Sequence, residues 1–229
     1  MRSFVTGANR GIGKELVRQL LARGDEVEAG VRDPDSRPFA ELASPRLRVH
    51  RLDVTSDRDV AAVAAALGDA PLDLVINNAG IYGGPRQSVA GGEFDFADAA
   101  HTFDVNTLGA LRVSLALLPN LRRGTGKKLA HISSGMGSIG DNTSGGTLGY
   151  RMSKAALNML ARTLAVDLRA DGIISVAINP GWVKTSMGGP SATTSVEDSV
   201  RGVLQAIDGA TLADSGEFLD WRRPRFPSW

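Results

Sequence analysis

A chain of 229 residues, 42% hydrophobic and 22% charged, has the balance of a globular protein with enough apolar material for a sizeable core. Its formal net charge of +1 excludes the strong field that draws a protein to nucleic acid or to an anionic membrane. The absence of cysteine excludes disulfides, thiol nucleophiles and thiolate metal sites. No apolar run approaches the ~20 residues needed to cross a bilayer. Met1-Arg2 leads straight into a strand-like run without the pattern of a signal peptide, so a cytoplasmic protein is expected.

Residues 3–6 form a short apolar run cut by Gly7, which predicts a buried strand ending in a turn. The glycine loop Gly7-Ala8-Asn9-Arg10-Gly11-Ile12-Gly13 follows, and residues 14–23 then show helical periodicity. Strand, glycine loop and helix together suit a pyrophosphate, because glycines permit close backbone approach and the helix start offers free N–H groups. Residues 26–31 predict a second strand, followed by Arg32-Asp33-Pro34. An acid at this point accepts from a ribose 2′-hydroxyl, whereas an arginine accommodates a 2′-phosphate. Arg32, with Arg10 as a second positive charge, therefore favours NADP(H) over NAD(H), although the adjacent Asp33 works against it. Residues 47–52 predict a third strand, closed by Asp53-Val54. Asp53 could meet an adenine amino group or, with Thr55 and Ser56, mark the start of the helix expected over 57–67.

Residues 72–76 predict a fourth strand, ended by Asn77-Asn78-Ala79-Gly80, where two amides can bond neighbouring backbone and small residues leave room for a flat ligand. Residues 81–92 read as an exposed loop. Residues 96–118 carry one or two helices interrupted at Asn106, whose amide competes for backbone hydrogen bonds. A kink or π-type turn there would present its carbonyl to an internal water. Residues 128–132 predict a fifth strand, followed by Ser133-Ser134 and a Gly/Ser/Thr/Asn loop to Tyr150. The helix expected over 150–169 opens with Tyr150-Arg151-Met152-Ser153-Lys154. Tyr150 and Lys154 share one helix face, so the cation is expected to lower the phenol's pKa. A sixth strand over 173–178 leads into Asn179-Pro180-Gly181-Trp182-Val183-Lys184-Thr185, a sharp bend at the strand end where α/β folds bind ligands. Residues 186–194 read as a small lid and 195–207 as a capped helix; the lid region is placed around 186–207. A short strand at 218–219 precedes a tail, 221–229, whose prolines 224 and 227 exclude helix.

The βα alternation runs through the chain without linker or repeat. It predicts one α/β domain, 1–229: a three-layer, doubly wound parallel sheet with helices on both faces.

Thr6-Gly7-x-x-x-Gly11-x-Gly13, Asn77-Asn78-Ala79-Gly80, Asn106, Ser134, Tyr150-x-x-x-Lys154 and Pro180-Gly181, in this order, resemble the short-chain dehydrogenase/reductase family over almost the full length. The stretch 133–158 and the Trp229 ending are similar to its sniffer-like and C-factor-like carbonyl reductase branch. The resemblance implies a Rossmann sheet of about seven strands. It implies Tyr150 as general acid, Lys154 as the group that tunes it, Ser134 on the substrate carbonyl, and Asn106 anchoring a relay water. It implies a cofactor lined by Gly7, Asn9, Arg10, Gly11, Ile12, Gly13, Arg32, Asp53, Val54, Asn77, Asn78, Ala79, Gly80, Pro180, Gly181, Val183 and Thr185, with Tyr150 and Lys154 on the ribose. Tyr82, Met136, Trp182 and Met187 are expected as substrate walls, and the three histidines have no place in the scheme. The expected activity is NADPH-dependent reduction of a small aldehyde or ketone, with no metal and a homodimer or homotetramer as an open possibility. Two alternatives stand beside it: an NAD-linked alcohol dehydrogenase, and a cofactor-binding signalling protein with little turnover.

Overall fold

The computed structural model describes residues 1–42, 44–84, 87–222, 225–226 and 229. Nine strands run in chain order: β1 (Arg2–Thr6), β2 (Glu26–Val31), β3 (Leu47–Arg51), β4 (Leu74–Asn77), β5 (Gln87–Ser88), β6 (Glu93–Phe94), β7 (Lys128–Ile132), β8 (Ile174–Asn179) and β9 (Phe218–Asp220). The helices are α1 (Gly11–Ala22), α2 (Asp57–Leu67), α3 (Phe96–Phe103), α4 (Gly109–Arg123), α5 (Leu148–Asp167) and α6 (Val196–Gly209). Seven strands form one parallel sheet in the order β3-β2-β1-β4-β7-β8-β9. The chain builds outward from β1 to β3, then crosses to β4 and builds the other way. This leaves a crevice over the carboxyl ends of β1 and β4.

Strand residues alternate between two cores. Phe4, Val75 and Leu129 face α2, α4 and α5, where they meet Val63, Leu117 and Leu164. Val5, Ile76 and Ala130 face α1 and α6, where they meet Leu16, Leu20, Val200 and Val203. Burial on both faces is why these strands read as continuous apolar runs. No helix among the described residues is long and apolar enough to cross a membrane.

The helical stretch expected over 96–118 is α3, one turn of π-helix over Asp104–Leu108, and α4. Asn106 sits inside the π turn, as its interference with the regular ladder predicts. Three differences bear on the site. Residues 87–88, within the stretch 81–92 expected to be loop, pair with 93–94 just beyond it as a small antiparallel hairpin; residues 85 and 86 lie outside the described residues. The segment 196–207, placed in the lid region, is core: α6 buries Val200, Val203, Leu204 and Ile207, and the crevice is lined instead by residues of 186–194. The tail folds back on the sheet, with Phe226 N–H donating to the Phe218 carbonyl at 2.7 Å and the two rings stacked at 4.5 Å. Its two prolines, Pro224 and Pro227, lie outside the described residues.

Candidate active site

The crevice is a cleft of about 960 Å³. At one end, β1 turns into α1 through Gly7 (φ 62°) and Gly11 (φ 52°), both in the left-handed region that favours glycine. A Cβ on Gly13 would run into the Gly7 carbonyl, so the helix start can close on the strand only without a side chain there. The Thr6 hydroxyl accepts from the Asn78 and Ala79 N–H groups at 3.0 and 2.9 Å. Asn78 Nδ2 in return donates to the Thr6 and Gly7 carbonyls at 2.9 and 3.1 Å. The two strand ends flanking the crevice are thereby stitched together. The bare glycine cradle and the free N–H groups of α1 form a seat that fits a pyrophosphate.

Every residue expected on the cofactor wall lines this cleft, with one exception. Asn77 is buried at the end of β4, where Nδ2 donates to the Ser114 hydroxyl at 2.9 Å and lies 3.3 Å from His131 Nδ1. It faces α4 because successive strand residues point to opposite faces, and Asn78 is the one presented to the cleft. Arg10 and Arg32 are both exposed on the cleft wall. Asp33 is turned away: its carboxylate accepts from the Asp35 N–H at 3.1 Å and caps a short turn. Asp53 accepts from the Thr55 N–H and hydroxyl at 2.9 and 2.7 Å. Against the upward push of partial burial, these bonds, with Arg32 and His101 nearby, hold its carboxyl below the usual range. His101 lines the cleft beside it, where the sequence had no role for it.

At the other end, Tyr150, Lys154 and Ser134 converge on the cleft. Tyr150 and Lys154 are both buried on α5, and Ser134 stands where β7 ends. The Ser134 hydroxyl accepts from the Met136 N–H at 3.1 Å and stands near enough to the Tyr150 phenol to draw its pKa down. Lys154 Nζ donates to the Ile132 carbonyl at 2.8 Å and lies 5.8 Å from the centre of the Tyr150 ring. The expected depression of the phenol by Lys154 does not occur. Burial pushes Tyr150 up to about 12, with Ser134 opposing and Tyr82 adding to the rise. The same burial lowers Lys154 to about 8. Exclusion of water, which disfavours both charged forms, outweighs attraction across a helical turn.

Asn106 stands behind the wall rather than on it. Its Oδ1 accepts from the Ile81 N–H at 2.8 Å, and its Nδ2 donates to the Ile81 carbonyl and the Ser153 hydroxyl, each at 2.9 Å. The Ser153 hydroxyl donates to the Tyr150 carbonyl at 2.8 Å. The expected walls Tyr82, Met136, Trp182 and Met187 all line the cleft, and Tyr82 lies against Tyr150 with ring centroids 4.8 Å apart. Trp221, Arg222 and Phe226 complete the rim and were not foreseen. The signal available for Trp221 was its position just past the carboxyl end of the last strand.

The doubly wound sheet, the glycine cradle and the Ser/Tyr/Lys cluster define a dinucleotide-dependent oxidoreductase, and a family model described as short chain dehydrogenase matches residues 2–195. The chain belongs to that family. It is 49% identical over 166 residues to C-signal of Myxococcus xanthus, covering 72% of this chain and 98% of that one. It is 35% identical to 1-hydroxy-2-glutathionyl-2-methyl-3-butene dehydrogenase of Rhodococcus sp. (strain AD45), over 94% of each chain. Among solved structures, NADPH-bound carbonyl reductase from chicken fatty liver superposes with a TM-score of 0.92 at 37% identity, covering 100% of this chain and 98% of that one. Carbonyl reductase Sniffer of D. melanogaster superposes at 0.90 and 30% identity, covering 100% and 99%.

Proposed function

We propose that this protein is an NADPH-dependent carbonyl reductase that converts an aldehyde or ketone to an alcohol with Tyr150 as general acid. The observation that carries the reading is the convergence of Ser134, Tyr150 and Lys154 on one cleft whose far end is a glycine cradle. Arg10 and Arg32, with Asp33 turned into its own turn, favour the 2′-phosphate form of the cofactor. The likeness to an NADPH-bound carbonyl reductase points the same way.

When bound, the cofactor supplies the hydride. The glycine loop would hold its pyrophosphate, Arg10 and Arg32 its 2′-phosphate, and Lys154 its ribose. Tyr150, raised to about 12, keeps its proton throughout the neutral range and can hand it from Oη to the substrate oxygen. Ser134 donates to the same oxygen as charge develops on it. Tyr82, Trp182 and Phe226 hold an apolar substrate body and exclude water from the phenol.

The test is NADPH oxidation over a panel of aldehydes and ketones, with Tyr150→Phe in parallel. Turnover is expected in the wild type and a loss of ~10³-fold or more in the variant, with NADPH binding retained. Retained turnover in Tyr150→Phe refutes the acid role. The likeness to C-signal favours a second reading, a cofactor-binding signalling protein. NADPH binding without turnover on any carbonyl would select it.

A further inference from the structure

Helix α5 starts without a cap of its own. Its N-cap residue, Thr147, has left-handed backbone (φ 44°) and makes no side-chain capping bond. Tyr150 is the third residue of the helix, so its N–H is among the donors that no intrahelical carbonyl can satisfy. The partner comes from far away in the chain. Gln87, on β5, is 3% exposed, and its Oε1 accepts from the Tyr150 N–H at 3.0 Å across 63 positions. Its Nε2 donates to the carbonyls of Tyr82 at 3.0 Å and Gly84 at 2.8 Å. Reversing the amide would set oxygen against two carbonyls and nitrogen against an N–H, so the orientation is fixed.

Two glycines make room for this amide. A Cβ on Gly149 would lie 3.2 Å from Gln87 Oε1, and one on Gly83 would lie 2.6 Å from Nε2. The residue whose carbonyl Gln87 holds, Tyr82, is also the one whose ring lies against Tyr150 at 4.8 Å. One buried side chain therefore ties together both tyrosines of the cleft.

We propose that Gln87 is a positioning residue for the Tyr150 acid: it fastens the loop bearing Tyr82 to the first turn of α5 and so fixes the phenol at the carbonyl site. The inference rests on Tyr150 being the acid. The pyrophosphate cradle at Gly7–Gly13 lies on other elements, and Lys154, proposed for the ribose, is held by its own bond to the Ile132 carbonyl at 2.8 Å, so the effect is expected in the chemical step.

The experiment compares Gln87→Leu, Gln87→Glu and Tyr150→Phe in the full chain, with kcat and KM for a carbonyl substrate, the NADPH Kd and the pH profile. Gln87→Leu keeps the volume and removes every bond; kcat is expected to fall ~10- to 100-fold, as for a small displacement of a catalytic group, while the NADPH Kd stays within about twofold. Gln87→Glu as a carboxylate accepts from the Tyr150 N–H but repels the two carbonyls. Its kcat relative to wild type is expected to recover as pH falls and the protonated carboxyl regains a donor. Wild-type kcat and pH profile in both variants would overturn the proposal, as would a Kd for NADPH that weakens in step with kcat. Turnover retained in Tyr150→Phe instead removes the acid reading itself, a separate result. Titration of Tyr150 in a Tyr82→Phe background supplies a readout without turnover: Gln87→Leu is expected to lower its midpoint, and an unmoved midpoint counts against the tie.

Discussion

The rings of Tyr82 and Tyr150 lie against each other with centroids 4.8 Å apart and planes inclined by 41°. They are the only two tyrosines in the sequence. Tyr82 is 38% exposed and forms the solvent side of the pair; Tyr150 is 7% exposed and forms the inner side. In Tyr82→Phe, Tyr150 is the sole phenol, and its phenolate absorbance can be followed directly. No phenolate is expected below about pH 11 while the chain stays folded, because burial holds Tyr150 near 12. Tyr82→Ala removes the cover, admits water and is expected to bring the midpoint down toward the ordinary value of 10.0. Equal midpoints in the two variants would show that Tyr82 does not shield Tyr150.

Arg32→Asp replaces the guanidinium proposed for the 2′-phosphate with a group that repels it and can accept from a 2′-hydroxyl. The kcat/KM for NADPH is expected to fall ~10- to 100-fold, the span of a charge-assisted bond of about 1.5–3 kcal/mol, while that for NADH rises. Steady-state kinetics with both cofactors checks this. An unchanged NADPH/NADH ratio would leave the preference to Arg10 or remove it.

Lys154 stores a stability cost. Its folded pKa of about 8 lies below the ordinary 10.5. Between those values the unfolded chain binds more protons, so wild-type stability rises with pH through this window and the cost is full below about pH 8. Lys154→Met has no such dependence. The difference between the two proteins in urea unfolding is expected to change by up to about 1.4 kcal/mol per pH unit between pH 8 and 10. The variant is also expected to lose turnover. A parallel pair of stability curves would place Lys154 in water rather than in the core.

His131 acts on the acid side. Burial, with the nearby Lys154 adding to it, lowers this histidine to about 3. Its ordinary value is 6.5, so between 6.5 and 3 the unfolded chain again binds more protons, and stability falls as pH falls. His131→Gln is expected to lose less stability than wild type between pH 6.5 and 4, by up to about 1.4 kcal/mol per unit. Thermal melts over this range provide the comparison.

What the chain determines locally could be read from it directly. Strands buried on both faces appear as apolar runs. Glycines placed where a strand meets a helix announce the cradle, and a tyrosine and a lysine one turn apart must share a face. Asn106 was legible for the same reason, since an amide that competes with the helix ladder disturbs it wherever it falls. Tertiary structure alone decided which solvent these groups meet and which distant groups they touch. The sign of the Tyr150 shift follows from burial, not from the neighbouring cation. The capping of its helix comes from Gln87, which no periodicity links to position 150. The rim contributed by Phe226 exists because the tail returns to the sheet through a Phe226–Phe218 contact. Spacing along a chain fixes direction over a few residues, whereas desolvation and long-range hydrogen bonds arise only once the whole chain has closed around the site.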